Sequence, residues 1–180
     1  MSIILGIGSS VMAQTKKYHG VSFNTELKLD GENLQINGAG LREKYFLDLY
    51  VSALYLPSKT TDSKKVIYDD TEMAIHIKII SNSVTRERFI ESVNEGFAIS
   101  KHGSASKEEI KKFVGFFSDP IQNGDKIYLD YIPGKGVRVT KNGVVKGTIP
   151  GLEFKKALFC IWFGTPPVQE SLKKEMLGKE

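Results

Sequence analysis

Apolar and polar residues alternate over much of this chain, and the period changes along it. The run Met73-Ala74-Ile75-His76-Ile77-Lys78-Ile79 is the cleanest, with Met73, Ile75, Ile77 and Ile79 on one face and His76 and Lys78 on the other. That pattern predicts a half-buried strand of an antiparallel sheet. Upstream, shorter runs predict strands over Tyr18–Phe23 and Leu34–Asn37, parted by the turn Leu29-Asp30-Gly31-Glu32-Asn33. A long strand over about Leu41–Leu56 follows, closed by Pro57, and a polar loop leads on to Met73.

The period then moves from two to about 3.6. Phe89, Val93 and Phe97 are spaced four apart with Ile90 beside them, after the capping candidates Ser83 and Thr85, which predicts an amphipathic helix. A second helix opens on the capping box Ser106-Lys107-Glu108-Glu109. It presents Ile110, Phe113, Val114 and Phe117 on one side and stops at Asp119-Pro120. Strands follow over Asp125–Ile132, Gly136–Lys141 and Val144–Ile149, the last two joined by the hairpin dipeptide Asn142-Gly143. From Gly151 an almost wholly apolar helical segment runs to Phe163, then Pro166-Pro167 and a short polar helix to Gly178.

Strands, two helices, a strand meander and further helices predict an α+β fold in which helices pack on one face of a large antiparallel sheet. Parallel βαβ alternation and Gly-rich nucleotide fingerprints are absent. The 180 residues, 41% hydrophobic and 10% aromatic, suit one domain, assigned to residues 18–178. Lys and Arg number 25 against 21 Asp and Glu, and they are scattered, which points away from a nucleic-acid partner.

Residues 1–13 carry no charge and pass from an apolar block to the small-residue segment Ser10-Val11-Met12-Ala13. This resembles a secretory signal peptide cut after Ala13, so the protein is expected to be exported and periplasmic. Nowhere does the chain approach the roughly 20 apolar residues of a membrane-spanning helix. Cys160, the single cysteine, stands in Ala157-Leu158-Phe159-Cys160-Ile161-Trp162-Phe163 and is expected to be an inert core thiol.

His19, His76 and His102 have neither a nucleophile elbow nor metal-ligand spacing around them. His76 is expected to be solvated on the polar side of its strand, and His102 to mark a helix end. Arg42 is different, because alternation puts it on one face with Lys44, Phe46, Asp48, Tyr50 and Ser52. That face is either plain surface, with Arg42 paired to Asp48 or Glu43, or one wall of a cleft in which Arg42 holds an anion and Tyr50 adds a hydroxyl.

Gly38-Ala39-Gly40-Leu41-Arg42, then a strand ending Ser52-Ala53-Leu54-Tyr55-Leu56, resembles the opening of the chalcone isomerase superfamily. The likeness continues through Thr85–Phe97, Gly124-Asp125, Asn142-Gly143 and Ala157–Gly164, covers about Gly20–Leu177, and is greatest to the bacterial chalcone isomerase-like branch. The resemblance implies an open-faced β-sandwich with a ligand cleft between a large antiparallel sheet and its helices. Enzymes of the superfamily close a ring by phenolate addition to an unsaturated ketone, using an arginine, Thr and Tyr hydroxyls, a Lys, an Asn and a further hydroxyl.

Of that set Arg42 matches directly, Tyr50 takes the threonine's place if about four residues are deleted, and Asn94 lies within one position of the Asn. Within Glu87–Glu95 there is no Tyr and no Lys at the required place, and the last hydroxyl falls near the apolar Ile161. Each missing donor costs several kcal/mol of transition-state stabilisation, so efficient chalcone cyclisation does not carry over. Non-catalytic members, which resemble fatty-acid carriers, imply Arg42 and Tyr50 as carboxylate ligands and no cofactor.

The first reading is therefore a binder of a lipophilic, anionic small molecule. An isomerase or lyase with altered catalytic residues is the alternative, and a haem or metal-binding module the third. One geometric condition attaches to the first. Eight residues of straight strand span about 26 Å at roughly 3.3 Å each, so Arg42 and Tyr50 share a carboxylate only if the strand bends or bulges.

Overall fold

The computed structural model describes residues 14–179. Positions 1–13, the expected leader, lie outside the described residues, and the expected cleavage site with them. Seven antiparallel strands form one meander in chain order: β3 (Glu26–Leu29), β4 (Glu32–Lys44), β5 (Leu47–Leu56), β6 (Met73–Ile79), β7 (Lys126–Ile132), β8 (Gly136–Lys141) and β9 (Val144–Ile149). A separate hairpin of β1 (Thr15–Tyr18) and β2 (Val21–Asn24) precedes them.

Both faces of the sheet are apolar and both are covered. Leu54, Ile75, Ile77, Leu129 and Val139 pack beneath the helices, while Val51, Ala53, Tyr55 and Ala74 form a second cluster with Phe23 of the β1–β2 hairpin. Helices α2 (Arg86–Ile99) and α3 (Lys107–Gly115) begin at the caps Thr85 and Ser106, and Ser106 and Glu109 form the reciprocal capping box. The apolar helix α4 (Leu152–Phe163) is buried from Phe154 onward except at Lys156, and α5 (Glu170–Met176) lies along β4.

Four expectations are corrected. The long strand Leu41–Leu56 is two strands joined by a tight turn at Tyr45 and Phe46, both with positive φ (53° and 62°). Alternation alone misses this because the turn contains no Gly, Asn, Asp or Pro. The strand Tyr18–Phe23 is likewise interrupted, at His19-Gly20. The polar loop contains α1 (Ser63–Tyr68), capped by Asp62, too short to show a helical period. His76 is not solvated: it is partly buried on the outer face of the sheet, stacked on Tyr128 and bonded to Asp130. Cys160 is buried, as its apolar surroundings require.

The Gly38-Ala39-Gly40 segment has a structural reason. A β-carbon on Gly38 would stand 2.2 Å from the Glu175 carbonyl oxygen, so the glycine lets α5 rest directly on β4. Asn37 is left unpaired in the β4–β5 register and spans to α5, donating from Nδ2 to the Met176 and Thr60 carbonyls.

Candidate functional site

The β4–β5 hairpin answers the spacing problem. Arg42 and Tyr50 are direct cross-strand partners, and beyond them the pairing slips so that Glu43 faces Asp48. Leu49 is thereby an extra residue, a bulge, and both Leu49 and Tyr50 line the same cleft.

Around Tyr50 the polar contacts come from distant segments. Trp162 of α4 donates its indole N–H to the Tyr50 hydroxyl at 3.2 Å. Gln169, the residue before α5, holds Arg42: its Oε1 accepts from Arg42 Nη1 at 3.0 Å and from the Glu43 amide at 2.9 Å. The Gln169 Nε2 donates in turn to the Leu41 carbonyl and to Ser171 Oγ, so both ends of the amide are fixed. Arg42 makes no ion pair with Glu43 or Asp48; its Nη1 donates to the Glu43 carbonyl at 2.5 Å as well as to Gln169.

Burial raises the pKa of Tyr50, while the Arg42 charge and hydrogen bonds from Trp162 and Arg42 act against it. The phenol is therefore neutral at physiological pH. With its oxygen accepting from Trp162, it still has one proton to donate, beside a guanidinium that is always charged. A group presented to both would be an anion with at least two acceptor oxygens, such as a carboxylate.

The cleft holds about 440 Å³, within the roughly 300–1,000 Å³ common for small-molecule sites. Its inner wall is apolar, built from Ile77, Leu129, Phe113, Leu158, Ile161 and Trp162. Its rim carries Lys44 and Arg88 together with Glu91 and Glu95, and Lys44 reaches Glu95 across the mouth at 4.0 Å. Gly96 lets α2 close on α4, since a β-carbon there would stand 2.8 Å from Ile161 Cδ1.

Arg42 and Tyr50 are thus brought together, and Asn94 is not among the lining residues but lies exposed on α2. None of the three histidines lines the cleft. His19 pairs with Glu175, His102 with the Tyr68 hydroxyl, and His76 with Asp130 on the other face of the sheet. Among the described residues no cluster has the make-up of a metal site.

A family model described as chalcone isomerase-like matches residues 15–178. The chain belongs to the chalcone isomerase-like family. Among solved structures this chalcone isomerase-like chain is similar to a fatty-acid binding protein of Arabidopsis thaliana, at 20% identity and a TM-score of 0.73, over 91% of this chain and 96% of that one. At that identity the likeness shows a common fold. No curated protein matches the chain.

Trp162 and Gln169 are the site residues that sequence reasoning does not find. Trp162 is one more apolar residue in an apolar helix, and Gln169 lies in an aperiodic stretch after Pro166-Pro167. No helix among the described residues is long and apolar enough to cross a membrane.

Proposed function

We propose that this chalcone isomerase-like protein binds a lipophilic carboxylate of fatty-acid type without converting it. The observation that carries the reading is the Arg42 guanidinium held beside a neutral Tyr50 hydroxyl on the wall of an otherwise apolar cleft. The guanidinium and phenol would take the carboxylate, and the wall formed by Ile77, Leu129 and Leu158 would take the chain. That the Arabidopsis neighbour is a fatty-acid binding protein supports the ligand class.

The same cleft supports catalysis poorly. Ring closure of a chalcone needs donors that stabilise a developing oxyanion, and Ile161, near which the resemblance puts the family's last hydroxyl, is a buried apolar residue. Export belongs to the proposal and is supported by the uncharged, small-residue pattern of residues 1–13.

Native mass spectrometry of the protein purified without detergent tests the reading. Retention of fatty-acid-sized adducts that dissociate as carboxylates is the expected result. A spectrum of unliganded protein that stays unliganded after incubation with long-chain fatty acid would sink it.

A further inference from the structure

The turn between β4 and β5 is made by the residues least suited to it. Two-residue turns with positive φ at both positions favour Asn-Gly, because bulky side chains crowd the backbone there. Here Tyr45 and Phe46 occupy them, at φ 53° and 62°. The side chains gain no packing in return: Tyr45 is 81% exposed, Phe46 104% and the following Leu47 46%. Three consecutive large apolar residues thus project into water from a strained tip, a combination that points to a surface outside the molecule.

The tip is also one lip of the cleft. Tyr45 and Leu47 line its mouth, and Phe46 stands beyond them. Lys44, whose Nζ lies 5.4 Å from the Tyr45 ring centroid, has a long stem that can follow the aromatic residues while its charge stays in water.

We infer that the Tyr45-Phe46-Leu47 tip inserts into the headgroup and acyl boundary of a phospholipid bilayer, setting the mouth of the cleft against the membrane. Aromatic residues beside a lysine are the composition favoured at that boundary. The patch is too small for a stable protein partner: aromatic side chains contribute roughly 150–250 Å² each, so the three residues fall short of the roughly 800 Å² buried per side of a standard interface. Glu43 and Asp48 stand behind the tip and offset Arg42 and Lys44. Insertion is consequently apolar rather than electrostatic, and neutral lipid suffices. Passage of a lipophilic carboxylate between bilayer and cleft rests on the proposed ligand; docking does not.

The test is co-sedimentation with neutral phosphatidylcholine vesicles, comparing the wild type with Phe46→Gly. Glycine relieves the turn at φ 62°, so this variant folds, and Phe46 is not a lining residue of the cleft. The wild type is expected to partition onto vesicles, and the variant at least about tenfold less, as loss of a buried Phe implies. A wild type that stays in the supernatant, or a variant that partitions equally, overturns the inference. So does a wild-type dimer in light scattering that Phe46→Gly dissolves, since the tip would then meet a second copy. Fatty-acid titration without vesicles reads the ligand separately: vesicle partitioning without fatty-acid binding leaves docking intact and removes the ligand proposal.

Discussion

Arg42 and Tyr50 lie opposite one another on adjacent strands, joined by a turn only a few residues away. That proximity converts two residues of unrelated chemistry into one site with a fixed charge and a neutral donor. The charge alone would hold any anion. Together with the phenol and the apolar wall, it would favour the chain-bearing carboxylate proposed as the ligand.

Tyr50→Phe removes the donor and leaves the Trp162 indole N–H, buried on α4, without its acceptor. A neutral hydrogen bond contributes about 0.5–1.5 kcal/mol. That is the expected loss in thermal stability, whereas the phenol's bond to a bound carboxylate is charge-assisted, at about 1.5–3 kcal/mol, so fatty-acid affinity should fall about 10- to 100-fold. Because the Tyr50 pKa lies above its ordinary value of 10.0, affinity in the wild type should not fall through ionisation of this phenol between pH 7 and 9.

Gln169→Ala should weaken ligand binding although Gln169 is not a lining residue of the cleft. Its amide fixes the Arg42 guanidinium and the backbone of Leu41 and Glu43. A mobile Arg42 pays the ordering entropy on binding, about 0.5–1.5 kcal/mol for one long side chain. The double-mutant cycle decides the mechanism: on an Arg42→Ala background, Gln169→Ala should have no further effect on affinity.

Gly38→Ala should lower stability by more than a typical surface change. Its β-carbon would overlap the backbone of α5 at Glu175, a contact that no side-chain rotation relieves. Displacing α5 moves Gln169 with it, so affinity and melting temperature should drop together. Gly31→Ala, at a turn with open space around it but positive φ, should reduce stability and spare affinity.

Lys155 is fully buried on α4, and its ammonium donates to the carbonyls of Val66, Ile67 and Asp69 at the end of α1. Lys155→Met should cost about 1–3 kcal/mol by stranding those acceptors. Burial draws the Lys155 pKa down to about 7, with Asp69 and Asp70 acting against it. The unfolded chain, with a lysine pKa of about 10.4, then binds a proton that the folded chain releases between these values. Wild-type stability should therefore rise with pH from about 7 towards 10, by up to about 1.4 kcal/mol per unit, and urea melts of Lys155→Met should lack this rise.

Much of the fold is legible in the sequence because alternation and caps are local signals. The strand Met73–Ile79, the capping box at Ser106 and the Asn142-Gly143 hairpin each appear where the pattern puts them. The β4–β5 hairpin is not legible, because Tyr45 and Phe46 carry no turn signature and the alternation runs through them. A straight strand would hold Arg42 and Tyr50 far apart, whereas the turn sets them side by side. Trp162 and Gln169 reach the site from more than a hundred residues away, and no local period encodes such a contact. His76 has the same lesson in reverse: an outward strand position is polar by pattern, yet Asp130, Tyr128 and the β1–β2 side of the sheet enclose it.

The most direct measurement is a titration of a fluorescent long-chain fatty acid into wild type and Arg42→Ala, in buffer free of detergent and vesicles. The account predicts saturable binding to the wild type and about 10- to 100-fold weaker binding to the variant, the value of charge-assisted hydrogen bonds to one carboxylate, with an unchanged fold by circular dichroism. Equal affinity in the two proteins, or no saturable binding to the wild type, would contradict it.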